Sequence, residues 1–332
     1  MNKNMSKVVN GKEIKNFPWE ECPQGFDGPI WRYSKNPIID RHPVENVSRV
    51  FNSAPVPFGD GYIGVFRGDN VDDIPHLYVG HSKDGIHFDI DKEQINFVNE
   101  KGEPVENTAY QYDPRVIPFE DYYLIVWCDE LCGPTISIAK TYDFKKFVKF
   151  DNPFLPYNRN GVIFPRKIND KFLMLSRPSD SGHTAFGDIF LSESKDLTYW
   201  GRHRVVATKG YEWWCALKIG AGPVPIELDD GWLVFIHGVN RTCNGYVYSI
   251  GALILEKDDP SKLKYRCKNF LMTPEESYET TGFVPNVIFP CSALVDAPSG
   301  RIALYYGASD TFTALAFTTV DRVVEYIKKH SR

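Results

Sequence analysis

The run "YNRNGVIFPRKIN", residues 157–169, sets Arg159, Arg166 and Lys167 among residues that otherwise read as a buried β-strand, in a chain of formal net charge -5. Arg67 and Arg177 also sit beside apolar runs. A cation next to a core is costly unless a carboxylate or an anion meets it. Asp69 and Asp180 stand close enough in sequence to Arg67 and Arg177 for structural pairing. The competing reading is an anionic ligand. Arg166 and Lys167 flank the turn "KINDK", which suits a solvated or structural role better than a site. The stretch "YDPRV" holds the other unusual residue. Asp113 begins a strand-like run and the following Pro114 biases it to an extended conformation. It is either a reacting carboxyl or a turn carboxylate paired with Arg115.

The elements that must position these residues form an internal repeat. Five segments follow one plan: an extended run, a turn rich in Asp, Gly or Asn, a second run and a polar tip. They begin at Val50, Gln111, Asn160, Lys218 and Val284, at intervals of about 50 to 65 residues. Hairpin chemistry ("GDG", "ED", "ND", "DDG", "PSG") divides the two runs in each, and further strand-like segments such as "TISIAKTYDFKKFVKF" follow. About four strands per unit and five units predict an all-β, five-bladed β-propeller. The whole chain is expected to form a single propeller domain, with an N-terminal extension over about residues 1–30. "VDRVVEYIKKHSR" predicts a C-terminal helix over about residues 319–330, outside the blades.

The repeat aligns polar residues that no core needs: Asn52, Asp113, Asn160, Lys218 and Asn286 near the first runs, and Arg67 with Asp69, Asp129, Arg177 with Asp180, His237 and Asp310 at the tips of the second. Innermost strands of a propeller surround one axis, so these positions converge on one funnel. Tip Asp and Asn residues that only satisfy turns are the alternative.

Composition narrows the classes. The acidic balance, with 43 Asp and Glu against 38 Lys and Arg and no basic block, argues against nucleic acid. No signal-like apolar segment and no run of about 18 apolar residues occurs, which predicts a cytoplasmic protein without membrane partners. Seven scattered cysteines fit reduced thiols, and Cys128 and Cys132 lack a second half-site for metal. "KIGAGP" mimics a phosphate cradle, but Pro223 and the strand after it exclude a dinucleotide-binding helix. Tyr211, Trp213 and Trp214 offer rings that could stack on a sugar or pack.

The motifs "FNSA", "YDPRV", "NRNGVIFPRKIN", "LSRPSDSGHTAFGDIFLSES", "KIGAGP", "HGV", "CNGYVYS", "VPNVIFPC" and "YYGASD" occur in order along nearly the whole chain. In them the sequence resembles glycoside hydrolase family 130, the inverting β-mannoside phosphorylases, and within it the branch acting on β-1,4-mannooligosaccharides and mannosyl-N-acetylglucosamine. The resemblance implies a five-bladed propeller and Asp113 as catalytic acid. It implies phosphate binding by Arg159, Asn160, Arg177, His237 and Tyr248. It places Asn52, Ser53, Arg67, Asp69 and Asp310 on the mannosyl unit whose bond breaks, and Tyr112, His183 and Lys218 nearer the leaving sugar. It further implies that the proton travels through the mannose 3-hydroxyl, that no metal or organic cofactor is needed, that inorganic phosphate is the co-substrate, and that the protein is a homo-oligomer.

An anionic co-substrate accounts for the cations. An inverting hydrolase needs a second carboxylate to activate water, whereas phosphate is already a nucleophile and needs only to be concentrated and held in line. The expected reaction is reversible phosphorolysis of β-1,4-mannosides to α-mannose 1-phosphate and the shortened sugar. Mannosyl-N-acetylglucosamine and mannosyl-glucose are alternative substrates. A β-mannosidase and a non-catalytic sugar-binding propeller are the readings of other classes.

Overall fold

The computed structural model describes residues 6–9, 11–179, 186–210 and 212–331. Five sheets follow one another along the chain, antiparallel throughout except where Phe147–Lys149 pairs in parallel with Phe97–Val98. Blade I contains Val47–Phe58, Gly61–Asn70, Pro75–Ser82 and Asp89–Gln94. Blade II begins with Tyr112–Phe119, Tyr122–Glu130 and Pro134–Thr141, and is widened by Phe147–Lys149, Phe97–Val98 and Pro104–Val105. Blade III is Asn158–Ile163, Phe172–Pro178, Ile189–Ser194 and Trp200–Ala207. Blade IV is Lys218–Ala221, Gly231–Thr242, Gly245–Leu255 and Leu263–Arg266, with Ile226–Leu228 added beside Gly231–Thr242. Blade V takes Ile288–Asp296, Arg301–Ala308 and Phe312–Thr319, and its fourth strand is Trp31–Arg32 from the other end of the chain.

The core lies between neighbouring blades rather than inside any one of them. Runs such as "WLVFI" in Gly231–Thr242 are apolar at successive positions, because both faces of each sheet meet another sheet. Val65, Leu77 and Trp127 join blades I and II, Ile138, Ile163 and Met174 join II and III, and Leu175, Ile219 and Val234 join III and IV. Phe235, Ile250 and Leu304 join IV and V, and Tyr62, Tyr305 and Phe317 close V onto I. Five blades joined by five apolar seams match the count read from the repeats.

The helix Val320–Lys329 packs outside the blades as its spacing predicts, burying Val320, Val323, Val324 and Ile327 on the seam of blades IV and V. The Thr319 hydroxyl accepts from the Arg322 N–H at its start, and Lys328 and Lys329 sit in the last turn, where cations favour the helix dipole. Among the described residues no helix is long and apolar enough to cross a membrane.

Candidate active site

The first strands of the five blades lie side by side around the axis, and three of them share one local device. In blades I, II and III the ladder with the second strand slips at Phe51/Ala54, Tyr112/Arg115 and Arg159/Val162. Within each bulge one residue has left-handed backbone: Asn52 (φ 51°), Asn160 (φ 54°) and Asp113 (φ 55°), the last in place of the extended conformation expected from Pro114 because the bulge overrides that bias. Asn and Asp tolerate that conformation better than other side chains, and a bulge re-aims a residue out of the strand's alternation. The in-register Asx residues of the sequence are thus one repeated structural feature. Lys218 and Asn286, aligned with them by spacing, are different: Lys218 pairs regularly with Val239, and Asn286 precedes its strand.

Around Asp113 the bulges bring two donors to one oxygen. Asn52 Nδ2 donates to Asp113 Oδ1 at 2.7 Å and Arg67 Nη1 donates to the same atom at 3.4 Å. Among the described residues no side chain bonds Oδ2. Arg67 is held by Asp69 through two bonds, Nε to Oδ1 at 2.8 Å and Nη2 to Oδ2 at 3.2 Å, and lies over the Phe51 ring. Asp69 also accepts from the buried Arg49 at 3.1 Å, and Arg49 reaches Asp73 at 2.7 Å. The pairing of Arg67 with Asp69 foreseen as a structural alternative is therefore real, and it leaves Nη1 free to serve Asp113. Ser53 is fully buried beside Asn52, and its hydroxyl has no partner among the described residues. Desolvation raises the Asp310 carboxyl to about 6, with Arg67 pulling it down and Asp113 and Asp69 pushing it up.

The second group is cationic and has no carboxylates among the described residues. Arg177 is 4% exposed and its Nη1 donates to Nε2 of the fully buried His237 at 2.9 Å. Burial, then the adjoining Arg177, Lys218 and Arg115, hold His237 well below its usual range. The neutral ring accepts on Nε2 and so carries its proton on Nδ1, which has no partner among the described residues, as Arg177 Nε and Asn160 Oδ1 have none there. Burial, with Arg159 adding repulsion, lowers the Arg177 guanidinium to about 10. Arg159 donates to Tyr112 Oη and Ser179 Oγ, both at 3.1 Å. Burial, then Arg177 and Arg159, lower the Lys218 ammonium to about 7, and its Nζ stands 5.3 Å from the centre of the Tyr248 ring. Burial pushes the Tyr248 hydroxyl up to about 12 against the pull of Arg177. Lys218 thus falls in with Arg159 and Arg177 rather than apart from them. His183 and Asp180 lie outside the described residues.

Several residues that shape this site carry no legible sign in the sequence. Arg115 does not pair with the Asp113 carboxylate; it is buried and donates to the Asp113 carbonyl at 2.6 Å and to the carbonyls of Ala221 and Gly222 in blade IV. The glycine-rich "KIGAGP" holds no phosphate cradle, yet a Cβ on Gly220 would stand 2.8 Å from Asn160 Oδ1 and from His237 Nε2. A Cβ on Gly307 would collide with Asn52 Oδ1. Gly307→Ala is therefore expected to displace the Asn52 amide from Asp113 and lower kcat by about 10²-fold, since a shift near 1 Å is enough for such a loss. Steady-state rates beside an unchanged circular dichroism spectrum check this.

Other expectations are corrected. Asp129, aligned with the tip residues, is buried and saturated by Thr108 Oγ, Ser137 Oγ, Lys149 Nζ and the Glu130 N–H. Trp214 is core rather than sugar platform: it closes over Gly238 and Gly251, and its Nε1 donates to the Lys268 carbonyl at 2.8 Å. Trp213 is exposed and meets Phe270 edge-on, and Tyr211 lies outside the described residues. Arg166 pairs with Glu227 and Lys167 rests over Phe172, the structural roles expected of them.

The site is thus a propeller funnel in which Asp113 and Asp310 stand near an arginine anchored by Asp69, beside cations that have no carboxylate partner among the described residues, the class of site that can take an anion. The profile of glycoside hydrolase family 130, described as β-1,4-mannooligosaccharide phosphorylase, matches residues 10–329. The chain belongs to that family. It is 51% identical over 332 residues to the β-1,4-mannooligosaccharide phosphorylase of Ruminococcus albus, covering 98% of this chain and 99% of that protein. It is 30% identical over 261 residues to a β-1,2-mannobiose phosphorylase of Listeria innocua, covering 78% and 70%. Among solved structures, the Listeria innocua β-1,2-mannobiose phosphorylase in complex with β-1,2-mannobiose superposes with a TM-score of 0.80 at 25% identity, covering 90% of this chain and 99% of that one.

Proposed function

We propose that the protein is an inverting phosphorylase that cleaves β-1,4-mannooligosaccharides with inorganic phosphate, releasing α-mannose 1-phosphate and the shortened sugar. The observation that carries this reading is Arg177: a buried guanidinium beside Arg159 and Lys218, with no carboxylate partner among the described residues, is favoured by an anion that joins it.

In this reading Asp113 is the acid. Asn52 and Arg67 hold Oδ1 and leave Oδ2 to present the proton. Asn52, Ser53, Arg67, Asp69 and Asp310 bind the mannosyl unit. Phosphate rests on Arg159, Asn160, Arg177, His237 and Tyr248, with Lys218 at the same edge, and Tyr112 and His183 adjoin the leaving sugar. A phosphate oxygen forms the bond to the anomeric carbon as the bond to the glycosidic oxygen breaks; the mannose 3-hydroxyl gives its proton to that oxygen and takes the proton of Asp113. The proton that phosphate brings then restores Asp113. Holding the two reactants in line supplies most of the acceleration. No metal or organic cofactor enters these steps. The homo-oligomer expected of the family and the cytoplasmic location expected from the sequence belong to the same reading, and sedimentation of the purified protein tests the first.

Incubation with β-1,4-mannobiose, with and without phosphate, tests the reaction. Phosphate-dependent α-mannose 1-phosphate and one free mannose are expected; two free mannoses formed regardless of phosphate would make the protein a hydrolase.

The lowered Lys218 ammonium gives a second test. The shift down to about 7 means that the unfolded chain binds the extra proton between about pH 7 and the ordinary lysine range, so the phosphate-free protein gains stability from this group as pH rises through that window. A phosphate dianion nearby favours the ammonium. Phosphate binding at pH 8.5 is therefore expected to take up close to one proton, read by calorimetry in buffers of different ionisation enthalpy, and Lys218→Met is expected to remove the uptake.

A further inference from the structure

A cavity of about 330 Å³ opens from the site and runs outward over the rim of blade II, a size typical of small-molecule pockets. Its inner wall is Arg67, Tyr112 and Arg159, and its outer wall includes Tyr110, Glu130 and Gly133. The cations and the Asx bulges account for the inner wall, and nothing in the reaction so far accounts for the outer one.

The direction of the cavity is informative. An inverting displacement places nucleophile and leaving group on opposite sides of the anomeric carbon, so the leaving chain points away from the cations that hold phosphate. Asp113 belongs to the first strand of blade II, whereas the most buried cation, Arg177, and His237 belong to blades III and IV. Sugar beyond the broken bond is thus led past Tyr112 toward blade II.

The outer wall suits a sugar and is rigidly mounted. Tyr110 is 52% exposed, leaving ring surface to cover an apolar sugar face. Its segment is tied down on three sides: Asn107 Nδ2 donates to the Ile95 carbonyl at 2.9 Å, Thr108 Oγ donates to Asp129, and the Gln111 N–H donates to the Pro75 carbonyl at 3.1 Å. Glu130 is exposed, and its carboxylate has no partner among the described residues, so it is free to accept from sugar hydroxyls. Gly133, with φ 131°, lets the chain turn against Tyr157, whose ring would stand 3.1 Å from a Cβ there. Asp129, though it lines the cavity, is saturated and takes no part in recognition.

We infer that Tyr110 and Glu130 form a binding position for the second sugar of the leaving chain, so that this cavity sets the preference for mannotriose and longer β-1,4-mannooligosaccharides over mannobiose. The inference rests on the phosphorylase reading and adds the residues that measure chain length.

The test compares kcat/KM for β-1,4-mannobiose and β-1,4-mannotriose at saturating phosphate in the wild type, Tyr110→Ala and Glu130→Gln. Single pocket contacts discriminate by about tenfold or more. Tyr110→Ala is expected to lower the mannotriose value about tenfold and the mannobiose value less than about twofold, with a smaller change of the same pattern for Glu130→Gln. Equal losses on both substrates, no loss on either, or a raised KM for phosphate would overturn the assignment, the last by making the cavity a phosphate entrance. Calorimetric binding of mannotriose without phosphate, weakened by Tyr110→Ala, reads the cavity independently of turnover. If the wild type bound mannotriose at this position yet formed no mannose 1-phosphate, the reaction and not the cavity would be misassigned.

Discussion

Asp113→Asn is expected to lower kcat on β-1,4-mannobiose by about 10²–10⁴-fold, the range that a positioned general acid supplies. The substitution keeps the shape of the group. An amide oxygen in place of Oδ1 still accepts from Asn52 Nδ2, and Arg67 retains both of its bonds to Asp69. Thermal unfolding is therefore expected to change little. The decisive comparison uses an aryl β-mannoside whose leaving group departs without a proton: the variant should recover much of its rate on that substrate. An equal loss on the aryl mannoside and on mannobiose would remove Asp113 from the role of acid.

Arg177→Met is expected to act on phosphate and on stability in opposite directions. Losing a buried, charge-assisted contact to an anion costs about 2–5 kcal/mol, or about 30-fold to several thousandfold in the KM for phosphate. Without phosphate, the same change removes a buried cation that no carboxylate among the described residues balances, and an apolar side chain of similar reach takes its place. The midpoint of denaturation should rise. A structural arginine would give the reverse, a lower midpoint and an unaltered KM. Calorimetric titration and denaturation of one preparation read both.

The five blades were legible because each repeats the same turn chemistry between runs of β-branched and aromatic residues, and the second run of each ends in polar residues at the funnel. The Asx positions Asn52, Asp113 and Asn160 were legible for the same reason, although the bulge that gives them their direction is a property of the pairing between strands. Residues acting across blades were not. Arg115 stands two positions from Asp113 and reads as its partner, yet its guanidinium is drawn to carbonyls of blade IV, over 100 residues away in the chain. Trp214 reads in the sequence as a ring that could stack or pack, and only the paired absence of side chains at Gly238 and Gly251 shows that the indole has a slot to fill. The same holds for Gly220 and Gly307, whose importance is the approach of a side chain from elsewhere. Spacing locates what repeats; close approaches between distant segments leave no period to find.

The fourth strand of blade V has a consequence for synthesis. Trp31–Arg32 pairs with Phe312–Thr319, and the Arg32 guanidinium bonds both carboxylate oxygens of the buried Glu279. At translation speeds of about 5–20 residues per second, Trp31 leaves the ribosome roughly 15 to 60 seconds before its partner strand exists. Blades I to IV draw their strands from contiguous stretches and can form in that interval. The ring cannot, and until it shuts, the apolar flanks of blades I and IV face whatever else is nearby in the cell. A nascent propeller of this kind is a candidate client for chaperones during that wait, and substitutions at Trp31 or Arg32 should show first in the yield of folded protein rather than in the chemistry of the funnel.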